Sequence, residues 1–319
     1  MLSHEGTVIK HHRITTLKTL NSHISCLAVH DNLLYAGSTN TINVFDLSNY
    51  TLVDAFNDDP TSGSTKSIAF NATKIFTAHQ DSKIRIWRQI AESKKHHLVS
   101  TLPTVKDRFY RSLLPKNYVQ VRRHKKRLWI EHCDASVKAH EDAVNAIVVS
   151  RDNGTVYTAS ADGCIRVWER NDGVRRQTLV TTLEKHKSTV NALALNGDGR
   201  VLFSGGCDRR ILVWEKENGA NNSMVFTEAL WGHTGAILCL INVDDLLASG
   251  SSDRTVRIWQ RGKDSRYHCM VVMEAHETPV KSLVAVSAGA SNGVVSVCSG
   301  SLDGEIKIWE INIRTVPQI

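Results

Sequence analysis

Four kinds of side chain recur along this chain at fixed distances: an imidazole, a hydroxyl, a carboxylate and an indole. The hydroxyls Thr77, Thr158, Ser204, Ser249 and Ser299 each stand four residues before an aspartate, namely Asp81, Asp162, Asp208, Asp253 and Asp303. Six residues beyond each aspartate comes a tryptophan: Trp87, Trp168, Trp214, Trp259 and Trp309. Four of the five sets also have a histidine upstream, His140, His186, His233 and His276. Histidine, serine and aspartate together suggest nucleophilic hydrolysis. A catalytic cluster, however, occurs once in a fold, and this one returns with every period, which makes its role structural. The indole N–H only donates, the carboxylate only accepts, and hydroxyl and imidazole do both, so the four in register form a chain of hydrogen bonds. When buried, such a chain holds only if every member is satisfied, and losing one partner costs about 1–3 kcal/mol. The adjacent His96 and His97 have no cysteine or carboxylate at ligand spacing and read as solvated loop, not as a metal site. No catalytic residue, metal or cofactor is implied.

These groups need elements to hold them, and the surrounding text supplies strands. The strings DSKIRIW, DGCIRVW, DRRILVW, DRTVRIW and DGEIKIW alternate apolar and polar residues after their aspartate, the period-2 mark of a strand. Runs such as FSGGCD and LASGSSD end a preceding strand and place the aspartate in a tight hairpin turn. Further upstream, NALAL and VNAIVV read as a third strand opened by the histidine. A fourth segment ends in an apolar residue three positions before it: Leu20, Leu183, Leu230 and Met273 precede His23, His186, His233 and His276. Each period of roughly 40–45 residues thus predicts one four-stranded antiparallel sheet, the size of a propeller blade.

Composition agrees with an ordered, repeat-built single domain over 1–319: 41% hydrophobic residues, only 5 prolines, and no long low-complexity tract. No run of apolar residues is long enough to span a bilayer, and MLSHEGTVIKHHRITTLKTL lacks the apolar block of a secretory leader. The 7 cysteines contain no CxxC pair and sit mostly in strand-like text, which predicts reduced thiols in the cytoplasm or nucleus. The net charge of +7 is local: residues 88–136 hold 12 Lys or Arg against 4 Asp or Glu, leaving 27 against 28 elsewhere. Any attraction for an acidic partner is therefore expected within that insert.

The recurring strings, the Gly232–His233 dipeptide and the SGSxD-like turns resemble the WD40 repeat family, with Trp-Glu, Trp-Gln or Trp-Arg in place of Trp-Asp. Within it, KDRFYRSLLPKNYVQVRRHKKRLWIEH (Lys106 to His132) resembles a block of plant WD40 proteins of the JINGUBANG type. The resemblance implies an all-β propeller, usually seven-bladed, that serves as a non-catalytic regulatory adaptor. It also implies that partners dock near the histidines and hairpin aspartates. Carried over by position, the residues before the aspartates, Gln80, Ala161, Cys207, Ser252 and Leu302, should point to that face. Those after the histidines, Glu141, Lys187, Thr234 and Glu277, should join them. Trp231 is a further candidate, since tryptophans favour binding hot spots, with outer-strand packing as its plainer role.

Only six units can be counted, and they are uneven. In the first, Phe45 holds the tryptophan slot and the turn at Thr39 and Asn40 is one residue short; the second has Thr61 where the histidine belongs. From Trp87 to Trp168 is 81 residues, against 46, 45 and 50 for the later intervals. Within that gap His132 opens a blade and His140 opens another, so one blade is expected to be truncated near 132–138. A skipped exon, a wrong gene model and a six-bladed lineage each account for this, and the ring is free to close with six blades or stay gapped. Residues 13–20 resemble an outer strand and are expected to close the last blade, because an open sheet edge invites aggregation.

The basic stretch Arg122, Arg123, Lys125, Lys126 and Arg127 reads first as a solvated strand, then as a nuclear import signal, and last as a nucleic-acid patch. No aromatic side chains interleave with its cations, which disfavours nucleic acid. A scaffold for proteins or peptides, in signalling or transcriptional regulation, is the expected function. A substrate receptor of a cullin-type ubiquitin ligase is the alternative, weakened because no tryptophan is followed by aspartate to give the WDxR ending.

Overall fold

The computed structural model describes residues 5–19, 23–57, 59–71, 73–90, 94–102, 119–124, 127–132, 140–150, 154–171, 176–217, 223–286 and 294–317. Every regular element among them is a strand. The first, β1 (Glu5–Lys18), pairs far along the chain and is taken up with the last blade. Blade 1 comprises β2 (Cys26–His30), β3 (Leu33–Gly37), β4 (Ile42–Asp46) and β5 (Thr51–Phe56). Blade 2 follows with β6 (Thr65–Asn71), β7 (Lys74–His79), β8 (Ile84–Gln89) and β9 (His96–Leu102). A separate hairpin, β10 (Val119–His124) with β11 (Arg127–His132), stands apart from any four-stranded sheet. Blade 3 is β12 (Val144–Val149), β13 (Val156–Ser160), β14 (Cys164–Asn171) and β15 (Arg176–Glu184). Blade 4 is β16 (Val190–Leu195), β17 (Val201–Gly206), β18 (Ile211–Lys216) and β19 (Met224–Leu230). Blade 5 is β20 (Ile237–Val243), β21 (Leu246–Ser251), β22 (Thr255–Arg261) and β23 (Tyr267–Glu274). Blade 6 takes β24 (Val280–Val286), β25 (Val294–Ser301) and β26 (Glu305–Pro317), and its outer strand is β1.

The blades share one registry defect. Opposite the tryptophan slot each outer strand carries one extra residue: Val53, Val99, Val180, Thr227 and Met270 in blades 1 to 5. A bulge of this kind bends a strand and increases its local twist. In β1 the extra residue is Ile14, opposite the step from Ile308 to Trp309. The closing strand thus matches the other outer strands in detail, and it is longer than the 13–20 expected from sequence, because pairing runs from Glu5 with Pro317 to Lys18 with Glu305.

The core lies between blades rather than within them. One apolar cluster joins blades 3 and 4 (Tyr157, Ile165 against Leu193, Trp214), and another joins 4 and 5 (Phe203, Ile211 against Ile237, Trp259). Others join 5 and 6 (Val256, Ile258 against Val280, Leu283), 6 and 1 (Ile306, Ile308 against Ile24, Leu34), and 1 and 2 (Tyr35, Ile42 against Ile75, Trp87). Among the described residues no such cluster joins blade 2 to blade 3. The apolar side chains that would make that seam are uncovered instead. Ile147 on β12 is 61% exposed where its counterpart Leu193 is 6%, and Ile84 on β8 is 42% exposed where its counterpart Ile165 is fully buried. Among the described residues the six blades therefore form a ring with one open sector, located where the sequence places its interrupted blade. Residues 133–138, on which that interruption falls, lie outside the described ones.

Candidate functional site

The repeated side chains meet as the spacing requires. In blade 4 the Trp214 indole donates to Ser204 Oγ at 2.9 Å, Ser204 lies 2.8 Å from His186 Nε2, and His186 Nδ1 is 3.0 Å from Asp208 Oδ2. Because the indole can only donate, the hydroxyl turns its own hydrogen toward Nε2, and Nδ1 is left to donate to the carboxylate. Blade 3 repeats this through Trp168, Thr158, His140 and Asp162, with the final bond at 2.9 Å. Blade 5 does so through Trp259, Ser249, His233 and Asp253, at 2.7 Å. In blade 6 Trp309, Ser299 and His276 keep their bonds, but His276 Nδ1 and Asp303 Oδ2 are 3.6 Å apart and neither makes a hydrogen bond. With Glu305 they bring three ligating atoms within 4.8 Å of one another. Lys18 and Lys307 already pair with Glu305, so this group is poorly set for a cation.

The aspartates tie more than their histidines. In blades 3 to 5 each accepts the backbone N–H of the residue after the histidine: Glu141 on Asp162, Lys187 on Asp208 and Thr234 on Asp253. Burial opposes ionisation of Asp162, but the N–H of Cys164, then His140 and Glu141, outweigh it and hold the carboxyl at about 2. At Asp208 burial is again overcome, here by His186 first, and the carboxyl rests at about 2. Asp253 is lowered in the same way, with His233 and Thr255 opposing its burial.

Blade 2 rebuilds the tie from other residues, which sequence reasoning missed. Thr61 does occupy the usual histidine slot, but Thr77 bonds His79 Nε2 at 2.7 Å while still accepting from Trp87 at 2.9 Å. Asp81 is held by buried Arg85, which also reaches Asp59 at 2.8 Å. His79 follows Thr77 by two residues on one strand, so both point to one face; that spacing was the available clue. Two other readings are corrected. His96 is not solvated loop: it lies in β9 with its side chain fully buried, bonded to Asp54 at 2.8 Å and Tyr35 at 3.1 Å and stacked on Phe56. His23 is not a slot histidine: it immediately precedes Ile24, whose counterparts Ile237 and Val280 follow their histidines by four, so the slot falls at residue 20, outside the described residues.

The five residues before the turn aspartates occupy one station. The backbone N–H of Gln80, Ala161, Cys207, Ser252 and Leu302 donates to Ser64, Ala143, Thr189, Ala236 and Pro279, each the residue before its blade's inner strand. They lie with Glu141, Lys187, Thr234 and Glu277 on the rim where the inner strands begin. Gln80, Cys207, Glu141, Lys187, Thr234 and Glu277 are exposed; Ala161, Ser252 and Leu302 are half-buried. Trp231 is 67% exposed and lies under the Arg210 guanidinium at 5.3 Å, so it does not pack in an outer strand. At the opposite mouth a depression of about 620 Å³ is lined by Val149, Ser150, Leu195, Asn242 and Ala285, away from every one of these groups. Of the basic stretch, Arg122, Arg123 and Arg127 lie on the β10–β11 hairpin, and Lys125 and Lys126 lie outside the described residues.

Antiparallel four-stranded sheets set around an axis, three of them carrying the complete internal tie, define a β-propeller. The family model described as WD domain, G-beta repeat, WD40, matches residues 131–169, 177–215, 224–260 and 267–310. The chain is thus an all-β propeller of WD40 repeats. The second of those stretches runs from β15 to β18, the outer strand of one blade and the inner three of the next, so it and the two stretches after it each fasten two blades together. The chain is 30% identical over 94 residues to the mouse WD repeat- and FYVE domain-containing protein 4, covering 29% of this chain and 3% of that protein. It is 28% identical over 178 residues to the ribosome biogenesis protein WDR12 homolog of Nematostella vectensis, covering 56% and 30%. It is 29% identical over 98 residues to mitochondrial division protein 1 of Schizosaccharomyces pombe, covering 27% and 15%. The chain thus corresponds to less than a third of each relative's length.

Proposed function

We propose that this propeller is a non-catalytic scaffold that binds proteins or peptides on the rim where its inner strands begin. One observation carries the reading. Five blades hold Gln80, Ala161, Cys207, Ser252 and Leu302 at one station by the same backbone bond, while the side chains presented there all differ. A rigid frame displaying varied side chains is what a recognition surface needs. The histidine, hydroxyl and aspartate sets are consumed in holding that frame, and each is nearly closed to solvent: the His140, His186 and His233 side chains are 1% exposed. Their recurrence argues against a reaction centre.

A regulatory role, of the kind the likeness of Lys106 to His132 to plant WD40 proteins suggests, belongs to the same proposal. So does residence in the cytoplasm or nucleus, supported by six described cysteines with no disulfide among them. No helix of the described residues is long and apolar enough to cross a membrane. The test is affinity purification from native tissue with wild type and a Gln80→Ala/Cys207→Ala/Leu302→Ala variant. Loss of the same partners from a variant that melts like wild type is expected; an unchanged set of partners would overturn the proposal.

A further inference from the structure

We infer that the rim over blades 4 and 5 takes an acidic segment of a protein partner, its carboxylates on Lys187, Arg209 and Arg254 and an apolar residue on Trp231. This rests on the rim being the docking face and adds the chemistry of what docks there. The sequence assigns all basic excess to residues 88–136, yet the folded chain gathers a second, smaller set of cations from residues distant in sequence. Lys187 follows the slot histidine of blade 4, Arg209 follows the turn aspartate of the same blade, and Arg254 does so in the next blade; all three are exposed.

Backbone geometry separates the two arginines from ordinary surface charge. The residue after the turn aspartate is left-handed in each of these blades: Ser82 at φ 60°, Gly163 at 84°, Arg209 at 67°, Arg254 at 73° and Gly304 at 80°. Glycine adopts that conformation freely and a residue with a Cβ does so at a cost. Blades 3 and 6 use glycine; blades 4 and 5 keep arginine where the turn itself would be better served without it. The carboxylate beside Arg209 in sequence, Asp208, is already taken by His186, Lys187 N–H and Arg210. Arg210 in turn lies over Trp231, whose side chain stays largely exposed. Arginine beside an exposed tryptophan is the composition of a binding hot spot.

The borders of the patch argue for a short peptide rather than a long polyanion. Exposed Glu141 and Asp142 of blade 3 stand on one side and exposed Glu277 of blade 6 on the other. A continuous phosphate backbone would run onto one of these, whereas an acidic stretch spanning two blades would meet only Glu274, at the outer edge of blade 5. A single exposed indole also falls short of the successive stacking platforms that single-stranded nucleic acid uses.

The test is fluorescence anisotropy of the full chain with a labelled peptide rich in Asp and Glu around a central leucine. The Asn/Gln version of that peptide and an oligothymidylate of equal charge serve as competitors. The Arg209→Gly/Arg254→Gly variant is expected to melt no lower than wild type and to bind the acidic peptide roughly tenfold more weakly or worse, since truncating charged contacts at an interface has effects of that order. Trp231→Ala should weaken it independently. The inference is overturned if wild type does not prefer the acidic peptide to its neutral version, if the glycine variant binds as wild type does, or if oligothymidylate binds as tightly. Native partners that stay with the glycine variant but leave the Gln80/Cys207/Leu302 variant would sink the acidic chemistry and leave the scaffold standing.

Discussion

The inner strands of blades 3 and 4 carry nearly the same text, VNAIVV in β12 and VNALAL in β16, and meet opposite fates. In β16, Val190 and Leu193 are sealed against blade 3; in β12 the matching Val144 and Ile147 face the open sector. Blade 2 shows the same contrast on its other face, where Ile84 is uncovered and its five counterparts, Ile42, Ile165, Ile211, Val256 and Ile306, are buried. Burial in this molecule is therefore a property of the seam and not of the strand. In a repeat array stability is a sum of intrinsic terms and neighbour interfaces, so blades 2 and 3 each lack one interface that blades 4, 5, 6 and 1 possess.

The largest expected effect comes from giving the well-packed side a second opening. Removing residues 1–20 deletes β1, strips the outer face of Trp309 and Ile308, and leaves β26 as a bare edge. A fall in melting temperature on the order of 10 °C is expected, from the loss of several kcal/mol at a few degrees for each. Calorimetry on the truncated chain checks this, and an unchanged melt would mean that blade 6 does not depend on its closing strand. Next comes the matched pair in β16 and β12. Leu193→Ala should cost about 2–5 kcal/mol, as buried leucines do, whereas Ile147→Ala should stay within about 0.5 kcal/mol because its side chain is already in water. Equal losses in urea titrations would show that something covers Ile147 in solution.

The ties of blades 3 to 5, and the tryptophan, hydroxyl and histidine links of blade 6, were legible in the sequence because hydroxyl, aspartate and tryptophan sit on one hairpin at fixed offsets, so spacing sets their geometry. The open sector was not legible, since VNAIVV reads as a buried strand whether or not a blade precedes it. Nor was the role of His96, whose partners Tyr35 and Asp54 lie 61 and 42 residues away on another blade. His23 misled because its offset was counted from an apolar residue upstream and not from the inner strand that fixes the slot. His79 and Arg85 were missed because the pattern specified residue types, while the physics asks only for a buried acceptor beside the hydroxyl and a donor beside the carboxylate.

A smaller effect separates the two ways of making the tie. Ser204→Ala leaves the Trp214 N–H and His186 without partners inside a continuous chain, and should cost about 1–3 kcal/mol. Thr77→Ala should cost less, near the lower end of about 1 kcal/mol. In blade 2 the network is already divided: His79 answers the hydroxyl and Arg85 answers Asp81, so nothing is passed between them. Chemical denaturation of both variants decides this, and a larger loss at Thr77 would show that the two halves act as one.

The same regions also differ in acid sensitivity. Burial, with Arg85 close by, lowers His79 to about 4, against the opposing pull of Asp81 and Asp59. The folded chain therefore refuses a proton that the unfolded chain accepts near pH 6.5, and stability is lost as pH falls from that value toward 4, then levels off. Asp162 and Asp208 work lower down, because carboxyls held at about 2 contribute fully above the unfolded value near 3.8 and lose their contribution only below it. Hydrogen-exchange protection factors, corrected for the pH dependence of intrinsic exchange, should thus fall between pH 6.5 and 4 in β7 and β8 before they do in β17 and β18. His79→Gln keeps a neutral hydrogen-bonding group beside Thr77 and should abolish the early phase without moving the late one. If β7 and β8 exchange in step with β17 and β18 at every pH, then His79 is not the group that makes blade 2 the more acid-sensitive of the two.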